Sequence, residues 1–233
     1  MTALTVAGRL DQARTSRFVI AGAVAPALQS VRGCRFRALP GLIEVHADPA
    51  GFRPLQDTNG RSLHLHGGAA LFNLRLAAAQ IGIEPVVRLM PDRHHPTLLA
   101  SVRLAGPHKV VRSERLLYAA SLRPLPARQP YGDQRPPLPV LNELIEVARL
   151  EGVALHCLPQ SGGPQAAVLT TRGDSPAEWL RAGQALQSVL LSSAVRAVST
   201  SFLHEVVTLP GAREAMQPGE IPQVVLQLAR TGL

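Results

Sequence analysis

The stretch DSPAEWLRAGQALQSVLL, residues 174–191, is the most strongly marked element of the chain. Ser175, Pro176, Ala177 and Glu178 form a capping-box pattern with proline at the first helical position. Such a start suits a helix because the serine oxygen accepts a free backbone N–H and proline has none to leave unpaired. From there Trp179, Ala182, Leu186, Val189, Leu190 and Ser193 recur along one side, which predicts a helix to about residue 198. The string Arg172-Gly173-Asp174-Ser175 in front of it reads as a helix cap and not as an adhesion motif. An apolar strand is expected before it at 167–171, and a last one after it at 223–228.

Working back toward the N-terminus, residues 154–158 read as a strand and 140–150 as an amphipathic helix, with Leu141, Leu144, Ile145 and Ala148 on one face. The six prolines of LRPLPARQPYGDQRPPLP, residues 122–139, impose an extended arm. Before it come a short helix at 116–121 and strands at 84–89 and 98–104, joined by PDRHHP. GGAALFNLRLAAAQIG, residues 67–82, opens with small residues that permit close approach and predicts a central, buried helix. CRFRALPGLIEVHADPA, residues 34–50, reads as a hairpin turning at Pro40-Gly41. A broken helix is expected before Ala25-Pro26, and no internal repeat is evident. The class is α+β, a mixed and largely antiparallel sheet packed by helices. At 233 residues, 46% hydrophobic and 17% charged, the chain is expected to form one domain.

The formal net charge of +8 would suit a polyanion, but it is nearly all dispersed arginine, with Lys109 the single lysine. Aromatic residues are only 3%, too few to stack bases between the arginines, so nucleic acid is not expected as a partner. Arg9, Asp11, Arg14 and Arg17 interrupt the N-terminus where a signal peptide needs an apolar run, and no stretch approaches the ~20 apolar residues that span a bilayer. Cys34 and Cys157 have no CxxC spacing, which fits a reducing compartment and leaves open whether they pair. A cytoplasmic protein without a membrane segment is the expectation.

Familiar chemical signatures are absent from the sequence: no GxSxG, HExxH or GxGxxG occurs. His94-His95, and His64 with His66 on a possible strand, lack the further ligands that would complete a metal site. Cys34 has no neighbouring histidine to activate it. What remains are arginines in irregular segments, Arg32, Arg123 and Arg128, suited either to a phosphate by charge-assisted hydrogen bonds or simply to solvent.

The order of GRSLHLHGGAALFNLRLAAAQIG, the proline-rich arm, the 174–191 helix and IPQVVLQLA resembles successive blocks of the Acg-type, nitroreductase-like family. That resemblance implies a nitroreductase-like fold, as two fused halves degenerate in this chain, with FMN as the cofactor of an NAD(P)H oxidoreductase. The family's flavin segment, approximately A-P-S-x-H-N-x-Q-P-W-x-F, lies on AVAPALQSVRGCRFR, residues 23–37. Ala25, Pro26 and Phe36 match, whereas serine becomes Ala27, histidine Gln29, asparagine Ser30, glutamine Arg32, proline Gly33 and tryptophan Cys34. A second segment, R-R-x-T-N-R-R-P-F, lies on residues 123–131 and keeps Arg123, Arg128, Pro130 and the aromatic Tyr131. The family's C-terminal arginine falls on Gln227, with Arg230 three residues away.

The resemblance also implies a helical, lid-like excursion where only PQSGGPQA, residues 159–166, is present, so the junction of the halves is placed near 158–167 and shortened. Gln29, Ser30, Arg32, Arg123 and Arg128 are the candidate cofactor or anion contacts, with no catalytic residue and no metal ligand. Two functions follow. One is a degenerate flavin site in a non-catalytic binding or structural subunit, a pseudoenzyme that dimerises with itself or with an intact, full-length paralogue. The other is an active FMN-dependent oxidoreductase with remodelled contacts.

Overall fold

The computed structural model describes residues 33–48, 59–123, 134–159, 162–203 and 212–230. The chain divides into two compact units, 1–123 and 124–233. In the first, β1 (Cys34–Leu39) and β2 (Leu42–Ala47) form a hairpin, followed by α1 (Arg61–Gln80), β3 (Ile83–Leu89), β4 (Leu98–Pro107) and α2 (Arg112–Ser121). In the second, α3 (Leu138–Leu150) precedes the hairpin of β5 (Ala154–Cys157) and β6 (Gln165–Thr171). Then come α4 (Pro176–Val195), β7 (Val198–Leu203), the single turn α5 (Ala212–Ala215) and β8 (Ile221–Arg230).

The strand orders are β1-β2-β4-β3 and β5-β6-β8-β7, every pairing antiparallel. Each unit is therefore hairpin, long helix, two strands, with the same order across the sheet. The fold repeats a topology that the sequence does not repeat. Even the lengths agree: α1 and α4 are each 20 residues long, and each is followed after two residues by the next strand. Topology survives sequence divergence because it needs only apolar periodicity and turns at the right places, which many side chains supply.

Sixteen residues of α1 are buried, including Gly67, Gly68, Ala69 and Ala70, as the run of small side chains implied. Against its sheet Leu71, Leu74, Ala77 and Ala78 meet Ile43, Val45, Ala100 and Val102, with Phe36 at the margin. The α4 helix is likewise buried on more than one side, with Gln184, Gln187 and Ser188 covered as well as Leu186 and Val189. Ser175 accepts the Glu178 N–H at 3.4 Å, but the Glu178 carboxylate turns to Arg181, so only half of the expected capping box forms.

Three expectations are corrected. The α4 helix stops at Val195 and residues 198–203 form β7, since Val198, Thr200 and Phe202 alternate as a strand requires. His64 and His66 lie on α1 and not on a strand, two residues apart and so on different sides of it. The stretch 158–167 is not a join between halves. It is the connection of the β5–β6 hairpin, closed by the Leu158 N–H on the Ala166 carbonyl at 2.8 Å and by Gln165 Nε2 on the Leu158 carbonyl at 2.7 Å. An antiparallel pair needs no longer connection.

Candidate functional site

Of the five candidate contacts, Gln29, Ser30, Arg32 and Arg128 lie outside the described residues. Arg123 is described. It follows α2, its backbone N–H returns to the Ala120 carbonyl at 3.1 Å, and its side chain is exposed.

The far end of the flavin-like segment is also visible, and it is strand. Gly33 is buried, Cys34 opens β1 opposite Ala47, and Phe36 sits against Ala69, Ala70 and the α1 cluster. The residue at the position where the resemblance expects tryptophan is thus a half-buried thiol packed against the α1 cluster. Burial, and secondarily the nearby Asp48 carboxylate, push the Cys34 pKa up to about 12, which leaves it un-ionised and unreactive near neutrality. Cys157 is raised too by burial, partly offset by Arg135, and both cysteines are free.

At the C-terminal segment, Gln227 pairs with Ala166 and Ser201 inside the second sheet and is half-buried. Arg230 is exposed at the end of β8. Alternation along this regular part of the strand puts residues 227 and 230 on opposite faces of the sheet. In the described parts of these segments a half-buried thiol stands where the resemblance expects an indole, a sheet amide where it expects a cation, and Arg123 is retained.

Three polar clusters are not legible in the sequence because each includes a pair 24 to 64 residues apart along the chain. His108 lies between Glu84 of β3, at 2.8 Å from Nδ1, and Glu114 of α2, at 2.9 Å from Nε2. His156 of β5 donates Nε2–H to Glu220 at 2.7 Å. Burial raises the Glu220 carboxyl, but the Gln217 N–H, His156 and Thr170 outweigh it and hold the pKa below the ordinary value. At the entry to α4, the Trp179 indole N–H donates to Asp174 at 2.5 Å, and Gln223 donates to Thr171 at 2.8 Å. His95 donates to Asp92 at 2.6 Å within the exposed 91–96 turn. Among the described residues no three acidic, histidine or cysteine side chains gather as a metal-holding group, and no helix is long and apolar enough to cross a membrane.

Two all-antiparallel sheets, each with a long buried helix between its hairpin and its last two strands, define a nitroreductase-like fold. A solved structure of a candidate nitroreductase from Anabaena variabilis ATCC 29413 is similar over 93% of this chain and 73% of its own, with a TM-score of 0.61 and 11% identity. At that identity the likeness concerns the fold alone. No family model and no curated protein matches the sequence.

Proposed function

We propose that this chain is a nitroreductase-fold protein whose ancestral flavin site has been dismantled, and that it acts as a binding or structural subunit paired with a second copy or with an intact paralogue. The observation that carries this reading is Cys34. The position at which the resemblance expects an indole near the cofactor is a paired strand residue whose half-buried thiol packs against the α1 cluster. The change of the C-terminal arginine to Gln227, with Arg230 on the opposite face, points the same way. Protein purified alone or with its natural partner is expected to be colourless and to elute at the mass of a dimer. Stoichiometric flavin absorbance in the visible would overturn the first statement, and a monomer at micromolar concentration the second.

The active FMN oxidoreductase stands as a second reading because Arg123 is exposed and forms no ion pair among the described residues. In that reading Arg32, Arg123 and Arg128 hold the phosphate by charge-assisted hydrogen bonds, Ser30 faces the ring, and the cofactor carries the hydride chemistry. NAD(P)H oxidation on addition of FMN, abolished in Arg128→Ala, would establish it; no turnover with either nicotinamide would eliminate it.

A further inference from the structure

His108 sits where three elements of the first unit meet. It follows the end of β4, its backbone N–H donates to the Gly82 carbonyl at 2.8 Å beyond the end of α1, and its side chain is 21% exposed. One ring nitrogen faces Glu84 on β3 and the other faces both oxygens of Glu114 on α2. Glu114 also accepts the Val111 N–H at 2.9 Å, which satisfies a free donor at the start of α2. The α2 helix packs against α1, and this cluster is a polar tie from its first turn to β3.

Both carboxylates are acceptors, so both ring nitrogens must donate, and only the imidazolium has two donors. Loss of one proton turns a nitrogen lone pair toward a carboxylate and replaces an attraction by a repulsion. We propose that His108 is a proton-operated latch that ties the first turn of α2 to β3, closed while the ring is protonated and released as it deprotonates. The opposite end of α2 leads into Arg123, so in the reading that gives Arg123 an anion the latch bears on how firmly that one residue is held. That consequence rests on the reading of Arg123 given above; the latch does not.

The charged groups acting on the ring are accounted for from each side. Glu84 comes from β3 and Glu114 from α2, the end of α1 contributes the neutral Gly82 carbonyl, and Lys109, Arg112 and Arg115 are exposed. Glu114, and then Glu84, raise the His108 pKa above its ordinary value against the opposing effect of burial. A histidine raised on folding stabilises the folded state fully below its unfolded pKa, and this contribution fades as pH rises through the folded pKa. The latch is therefore closed in mildly acidic solution and opens above the ordinary histidine range.

Hydrogen exchange of the α2 amides, corrected for the intrinsic dependence on pH, tests this in the intact chain beside an NMR titration of the His108 ring. Protection should fall as the ring deprotonates, on the order of tenfold for each unit by which its pKa exceeds the unfolded value. His108→Gln should abolish the pH step, and Glu84→Gln should move it to lower pH while keeping the Glu114 contact. An unchanged step in His108→Gln, or α2 protection independent of pH in the wild type, overturns the latch. A normal step with no affinity for FMN or inorganic phosphate at either pH supports the latch and removes only the Arg123 reading.

Discussion

The matched turns after the two long helices allow a reciprocal substitution with opposite signs. Two residues separate α1 from β3 and two separate α4 from β7, and the second is Gly82 in one unit and Ala197 in the other. Both are left-handed, at φ 76° and 54°. An L-residue in that region carries a penalty of roughly 1–2 kcal/mol, which glycine escapes. Glycine in turn loses more backbone freedom on folding, a difference of about 0.5–1 kcal/mol. The net is about 0.5–1 kcal/mol in favour of glycine at either site. Crowding adds nothing at Gly82, because a Cβ there would stand 3.6 Å from the His108 carbonyl oxygen, an ordinary contact. Ala197→Gly should stabilise the protein by that amount and Gly82→Ala should destabilise it by a similar one, with an unchanged slope in urea melts followed by circular dichroism. Changes of the same sign, or no change in both, would refute the assignment of the two turns as equivalent and strained.

Leu71 and Leu186 are each the eleventh residue of their helix and each fully buried, so truncating either to alanine should cost about 2–5 kcal/mol, read as a lower urea midpoint. A loss below about 1 kcal/mol at either would mean that helix is not in the core. Asp174→Ala should leave the Trp179 indole N–H without its acceptor, costing about 1–3 kcal/mol and changing the emission of the single tryptophan; unchanged fluorescence and stability would show the bond to be dispensable. Cys34 should resist alkylation at pH 8 in the native protein and react on unfolding, whereas rapid native labelling would contradict a thiol held at about 12.

The 174–191 stretch is legible as a helix after a strand because a cap, a proline at the first position and regular apolar spacing are local signals. The β1–β2 hairpin was legible for the same reason: Pro40-Gly41 lies between two short alternating runs, and Gly41 takes the left-handed φ of 70°. The β7 strand was missed because the apolar periodicity of α4 runs into Val198, and only the left-handed Ala197 turns the chain. Arg123 could be named from its sequence, but its exposure could not, nor could the packing of Cys34 against the core, which depends on the pairing of β1 and the approach of α1.

Local order, then, was set by the chain in its own vicinity: turns, caps and the small-residue run of α1 act over a few residues, where chemical identity decides backbone geometry. The repeated strand order, the clasp of His108 by Glu84 and Glu114, and the opposite faces of Gln227 and Arg230 came from long-range pairing. Those contacts join residues whose spacing along the chain carries no signal, because which strand pairs with which is decided by burying both apolar faces of the assembled sheet and helix, and not by any one segment.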